Sequence, residues 1–111
     1  MSAIDVNAVG GEAAKKMIEI LTGAGKDVAS YAQIEAKKLA QSAAEIAQLR
    51  LMGQITDEEM KLHLRIQKNA SISVLMAIKG MTKIAVEQAV NAALNIIGGA
   101  IKTATGLPFP A

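Results

Sequence analysis

His63 is the only histidine of the chain, and histidine is the side chain whose ordinary pKa lies nearest neutral pH. Glu59 precedes it by four residues and Gln67 follows it by four, so a helix would place all three on one face. A carboxylate and an imidazole could hold a metal ion if a symmetry-related copy completed the site. Ferritin-like sites, however, use Glu-x-x-His, and Met60 stands three residues before His63. With no second histidine and no cysteine, we predict no metal site and no cofactor.

Catalytic groups are hard to assemble from this sequence. No serine stands in a nucleophile-elbow context that could combine with His63. The acids at 57–59 are explained by the favourable interaction of negative charge with the start of a helix. Residues 23–26 (Gly-Ala-Gly-Lys) lack the first glycine of a phosphate-binding loop, because Ile20 stands there, and no Ser or Thr follows the lysine. We therefore predict no catalytic residues, no enzymatic activity and no small-molecule substrate.

Basic side chains recur at helical spacing in the second half of the chain: Lys61, Arg65, Lys68, Lys79 and Lys83. Such a basic stripe could contact the phosphates of nucleic acid or of anionic lipid. No aromatic residue is interleaved for base stacking, so nucleic acid is not expected as a partner. The competing interpretation is a solvated face that keeps an apolar helix in water.

The elements that would position these residues are organised around a turn at 53–56. Gly53 can adopt the left-handed conformation that ends a helix. Thr56 is a suitable N-cap for the next helix, and Glu59, three residues later, completes a capping box. These signals predict two helices that meet at this turn.

The predicted fold is all-α, a long antiparallel helical hairpin with helices over roughly 12–21, 26–52 and 57–97. If the first helix continues the second beyond a kink at Gly23/Gly25, two arms of about 40 residues each span roughly 60 Å. The alternative is a three-helix bundle in which the short helix folds back on the others.

A single domain over 12–104 is expected, between a loose N-terminal segment at 1–11 and a Pro-containing tail at 105–111. The tail is either a frayed end or an arm that docks on a neighbouring subunit. The N-terminus lacks the basic region and apolar run of a secretory signal, so we expect synthesis in the cytoplasm and leave the final site open.

Composition agrees with one small helical domain. The chain has 111 residues, of which 51% are hydrophobic, but only one Tyr, one Phe and no Trp. The mean hydropathy of +0.30 is high for a solitary water-soluble domain. A net charge of +2 indicates no polyelectrolyte character.

Small residues recur every four positions and would let helices approach closely, near the lower end of the usual range of about 8–10 Å. These helix-packing positions are Ala32, Ala36, Ala40 and Ala44 in the first arm and Ala85, Ala89 and Ala93 in the second.

The second arm is apolar around most of its circumference beyond residue 70. A helix with a single neighbour needs an apolar arc only somewhat wider than about 100°. We therefore expect a further partner, another subunit or lipid, on an interface made by Val74, Ile78, Met81, Ile84, Val86, Val90, Leu94, Ile97 and Ile101.

Three functional hypotheses follow. The first is a non-enzymatic, self-associating structural or assembly component that forms a homo-oligomeric bundle, ring or filament. The second is a membrane-active or pore-forming protein, such as a delivery-apparatus component, that binds an anionic membrane surface and inserts the apolar arm 70–101. The longest charge-free run of this arm, Gln88–Ile101, is shorter than the ~18–20 residues of a membrane-spanning helix. The third is a small all-α adaptor that binds a partner helix.

Overall fold

The computed structural model describes residues 4–21, 26–78 and 80–107. Within these ranges the chain forms no strand, and its helices are α1 (Val6–Ile20), α2 (Lys26–Leu51), α3 (Asp57–Met76) and α4 (Lys83–Thr105). The prediction of an all-α fold is confirmed.

Side-chain caps determine where three of the helices begin. Asp5 precedes α1 and accepts a hydrogen bond from the Ala8 N–H at 3.1 Å. Thr56 precedes α3 and accepts from the Glu59 N–H at 3.1 Å, while the Glu59 carboxylate accepts from the Thr56 N–H at 2.9 Å. Thr82 caps α4 in the same way as Thr56 caps α3, although without a reciprocal carboxylate. Each cap gives a partner to backbone N–H groups that have none inside the helix.

The prediction of one helix over 57–97 is wrong. α3 ends at Met76. The Ala77 N–H then donates to the carbonyl of Val74, three residues earlier, at an N···O distance of 3.2 Å. Gly80 then adopts a left-handed φ of +92°, which a continuous helix cannot accommodate. Thr82 starts the next helix, and α4 runs eight residues beyond the predicted end at 97. The left-handed glycine interrupts the helix and the threonine cap starts the next one, although the helical periodicity of the sequence spans this region.

The prediction of a kinked first arm is also wrong. α1 begins at Val6 rather than Glu12, so residues 6–11 of the expected loose segment are helical. A Cβ atom built on Gly10 would lie 3.3 Å from the Cα of Lys37, so α1 lies directly against α2 instead of extending it. This contact agrees with the fold-back alternative. The connecting residues 22–25, with the Gly23/Gly25 break, lie outside the described residues.

The four helices surround one apolar core. Fully buried side chains come from each helix, among them Met17, Leu39, Met60, Leu75 and Ile97. α2 and α4 each contact the other three helices. The longest dimension is 42 Å, well short of arms of roughly 60 Å, and the radius of gyration of 13.7 Å is that of an ordinary domain of this length.

Candidate functional site

The apolar interface predicted on the second arm lies mostly inside the chain's own core. Five of its nine residues are at most 4% exposed: Val86, Val90, Leu94, Ile97 and Ile101. Ile78 and Met81 are half-buried, whereas Val74 is 37% and Ile84 73% exposed. α1 packs against α4, and this contact covers part of the surface that the sequence left bare. Five residues of the predicted interface are therefore packed within the chain itself, and association through the exposed remainder stays a prediction.

The rows of small residues also serve internal packing. The buried members are Ala32, Ala36, Ala40, Ala89 and Ala93, and the half-buried ones are Ala44 and Ala85. The carbonyl of Ala36 lies 3.8 Å from the position of a Cβ on Gly10, so this row is where α1 and α2 meet.

The basic stripe is divided between two helices. Lys61 and Arg65 are exposed on α3, and Lys68 is half-buried on the same helix. Lys83 belongs to α4, where its ammonium lies 3.8 Å from the carboxylate of Glu87. Lys79 lies outside the described residues. The break between α3 and α4 thus leaves a short basic row on α3.

The potential metal ligands of the described residues are dispersed. His63 is exposed on α3, and no group of three or more His, Cys, Asp or Glu side chains is placed to share a metal ion. Two open grooves border α2, one of about 470 Å³ lined by Gln41 and Glu45 and one of about 410 Å³ lined by Gln33 and Lys37. The residues that line these two grooves include no histidine, cysteine or serine.

The side chain of Glu35 is buried where α2 packs against α3. Sequence periodicity did not reveal this contact. It is 4% exposed, and the Ser71 hydroxyl donates a hydrogen bond of 3.1 Å to its Oε1. The ammonium of Lys38 donates to its Oε2 at 3.4 Å. Both carboxylate oxygens therefore have a partner, as burial of a charge requires. The Glu35–Ser71 hydrogen bond thus links α2 to α3 inside their interface.

The large apolar side chains that remain exposed are concentrated on α2, α3 and the turn between them. Of ten such residues in the described part of the chain, nine lie there: Tyr31, Ile34, Leu49, Leu51, Met52, Leu62, Ile66, Val74 and Met76. The tenth is Ile84 on α4. Scattered exposed apolar side chains are ordinary, but a concentration on neighbouring elements is typical of interaction surfaces.

Part of this surface is a single row along α2. Tyr31, Ile34, Lys38, Glu45 and Leu49 of α2, together with Met52 directly after its last residue, fall within a sector about 60° wide at 3.6 residues per turn. We call these six residues the outer row of α2. The row was not predicted from the sequence, although the spacing of Tyr31, Ile34 and Lys38 by three and four residues is a helical signal. The two charged residues in the middle of the row, Lys38 and Glu45, interrupt its apolar pattern and hid it.

α4 is the described helix that is long and apolar enough to cross a membrane, judged by length and composition alone. Its most apolar window has a mean hydropathy of 1.4, and 44% of that window is buried inside the bundle. A core helix satisfies the same criterion, so this property is weak evidence for a membrane span.

No protein-family model, curated protein or solved structure matches this chain. The feature of the described residues that bears on function is the exposed apolar surface of α2 and α3.

Proposed function

We propose that this protein is a non-enzymatic helical protein that associates with copies of itself and acts as a structural or assembly component. The observation that supports the proposal is the position of its exposed apolar side chains. Of the ten in the described part of the chain, nine lie on α2, α3 and their turn, whereas most of the apolar face of α4 is buried in the core.

The proposed contact would bury a surface that the fold does not use. Ile34 and Ile66 are 53% and 50% exposed, although each helix already packs its other face into the bundle. Removing apolar surface from water contributes about 25 cal/mol per Å². The net charge of +2 opposes the approach of a second copy only weakly. The α2–α3 pair would thus present the contact on its outer face, while α1 and α4 of the same chain pack against its inner face.

The test is sedimentation velocity without detergent over a range of protein concentrations. We expect an oligomer that dissociates on dilution, and we expect the double variant Ile34→Ser/Ile66→Ser to remain monomeric with its helical circular dichroism unchanged. Ile84→Ser is the control because it removes an isoleucine of α4 that is still more exposed, at 73%. A wild-type chain that stays monomeric at every micromolar concentration would contradict the proposal.

A second candidate function is insertion of the arm 70–101 into an anionic membrane, which the length and composition of α4 favour. Because Val90, Leu94 and Ile97 form the core, insertion requires the bundle to open. Dye release from vesicles rich in anionic lipid would support this function. Intact vesicles in the presence of a sedimenting oligomer would favour the first one.

A further inference from the structure

The outer row of α2 is symmetric about a point between Gln41 and Ser42. Lys38 and Glu45 are equally distant from this point along the chain, as are Ile34 and Leu49, and again Tyr31 and Met52. Residues of opposite charge occupy the inner pair, and apolar residues occupy the two outer pairs. Such a row is the pattern that a contact between two identical helices requires, because each side must be complementary to itself.

Every position of the row is accessible in the folded chain. Tyr31, Ile34 and Met52 are 45%, 53% and 59% exposed, and the side chain of Lys38 is 64% exposed. Glu45 is exposed and borders an open groove. The buried face of α2, with Leu39 and Ala43, points into the bundle. The outer row is therefore available to a partner along roughly 30 Å of helix at 1.5 Å per residue.

Charge selects both the partner and its direction. We infer that two copies of this chain pair through α2 in antiparallel orientation, on a two-fold axis beside Gln41 and Ser42; the inference rests on the proposed self-association. In this arrangement Lys38 faces the partner's Glu45, and the contact occurs twice. A parallel pair would instead place Lys38 against the partner's Lys38 and Glu45 against the partner's Glu45, which like-charge repulsion disfavours.

The internal contact of Lys38 is compatible with this pairing. Its ammonium already donates to the buried Glu35 at 3.4 Å, and Glu35 has Ser71 as a second donor. An ammonium group has three N–H donors, so Lys38 can contact Glu35 and the partner's Glu45 together. At the ends of the row, Ile34 faces the partner's Leu49 and Tyr31 faces the partner's Met52. These apolar contacts would remove surface from water, and the charged contacts would fix which residues of the two helices face each other.

Charge-reversal variants test the pairing by sedimentation. Lys38→Glu and Glu45→Lys should each raise the dissociation constant of the dimer about tenfold or more, because each creates two like-charge contacts. An equal mixture of the two variants should form a heterodimer close to wild-type affinity, since every 38–45 contact is then of opposite charge. Glu12→Lys is the control for net charge, on an exposed position of α1, and should leave the constant unchanged.

Cysteine cross-linking tests the same geometry without changing the charges, which matters if Lys38→Glu perturbs the Glu35 contact. The chain has no cysteine, so single substitutions are unambiguous. On oxidation, an equal mixture of Ile34→Cys and Leu49→Cys should give mainly the mixed disulfide. Gln33→Cys, exposed on α2 but off the row, should cross-link only at the rate of random collision.

The outcomes separate this inference from the proposed function. A wild-type chain that is monomeric overturns both. A wild-type chain that associates, but whose constant is unaffected by Glu45→Lys and whose 34/49 mixture cross-links no faster than Gln33→Cys, overturns the α2 pairing and leaves self-association through other residues. A 34/34 product in excess over the mixed disulfide shows a parallel pair and also overturns the inference.

Discussion

At the scale of single residues, polar contacts set the register between α2 and α3. Glu35 and Ser71 meet in the buried part of the interface, and Arg50 meets Asp57 at the turn, where the Arg50 Nε donates to Asp57 Oδ1 at 2.6 Å. A buried hydrogen bond has directional requirements that apolar contacts lack, so a slip of one residue between the helices would leave Glu35 Oε1 without its Ser71 donor.

Ser71→Ala should destabilise the fold by about 1–3 kcal/mol, because it leaves a buried carboxylate oxygen without a hydrogen bond. Ser73→Ala is the matched control, since Ser73 is exposed on the same helix and has the same change in helix propensity. Its effect should stay within about 0.5 kcal/mol. Urea denaturation measures both free energies of unfolding, and equal values would show that the Glu35–Ser71 contact contributes nothing.

The Arg50 guanidinium lowers the pKa of Asp57, first through its hydrogen bond to the carboxylate and second through its charge. A lowered folded-state pKa means that this ion pair stabilises the fold above the unfolded value of about 3.9 and that the contribution is lost as pH falls through the folded value. The side chain of Asp57 is 63% exposed and that of Arg50 33%, so solvent screens the pair and the contribution is small. Arg50→Gln should raise the pKa of Asp57 in an NMR titration of its carboxyl carbon. An unchanged titration curve would refute the contact.

At the scale of the helices, two neighbouring glycines of α1 have opposite roles. Gly10 is buried at the crossing with α2, where a Cβ would lie 3.3 Å from the backbone of Lys37. A Cβ on Gly11 would meet nothing within 4 Å. The absence of a side chain at Gly10 therefore determines how closely α1 and α2 approach, whereas Gly11 only weakens the helix.

Gly10→Ala should destabilise the bundle by about 1–3 kcal/mol, because the neighbour that must move is main chain. Gly11→Ala should stabilise it by up to about 1 kcal/mol, because alanine is the better helix former in an exposed position. Thermal denaturation of the two variants provides the comparison, with each serving as the control for the other. Two shifts of the same sign would show that α1 does not cross α2 at Gly10.

Gly80 tests the break between α3 and α4. With φ at +92°, Gly80→Ala should cost about 1–2 kcal/mol, because a Cβ is strained in this region. If residues 57–97 formed one helix, the same substitution would instead stabilise the protein by about 1 kcal/mol. The sign of the change in urea denaturation distinguishes the two architectures.

At the scale of the whole molecule, the fold-back of α1 decides which surface is exposed. With α1 packed on α2 and α4, the apolar stripe of α4 becomes core, and the unpartnered apolar side chains are those of α2 and α3. If this stripe faces solvent or lipid, substitutions in it should change the free energy of unfolding little. If it is core, they should lower that free energy substantially.

Ile97→Ala should destabilise the folded chain by about 2–5 kcal/mol, because it leaves a cavity at a residue that is 1% exposed. The cost should not vary with protein concentration, since the contacts lie within one chain. Ile84→Ala, at 73% exposure, should change the free energy of unfolding by no more than about 0.5 kcal/mol. A small effect of Ile97→Ala at low concentration would indicate that this residue acts between subunits.

The sequence by itself determined the helical class and the start of α3. The Thr56–Glu59 capping box and the left-handed Gly53 follow from residue types at fixed spacing, and such interactions act over about four residues. The sequence also predicted the end of α2 to within one residue, at Leu51 instead of 52. In each of these cases the structure depends on neighbours in the chain.

Only the tertiary structure decided which faces are covered. Periodicity marks an apolar stripe, but it does not say whether the covering helix is α1 of the same chain or a helix of another. The residues that settle this lie far apart, as Gly10 and Lys37 do, and their contact depends on the path of the whole backbone. For the same reason the surface proposed to associate moved from α4 to the outer faces of α2 and α3. Local chemistry determined the helices, and the packing of distant residues determined what remains on their outside.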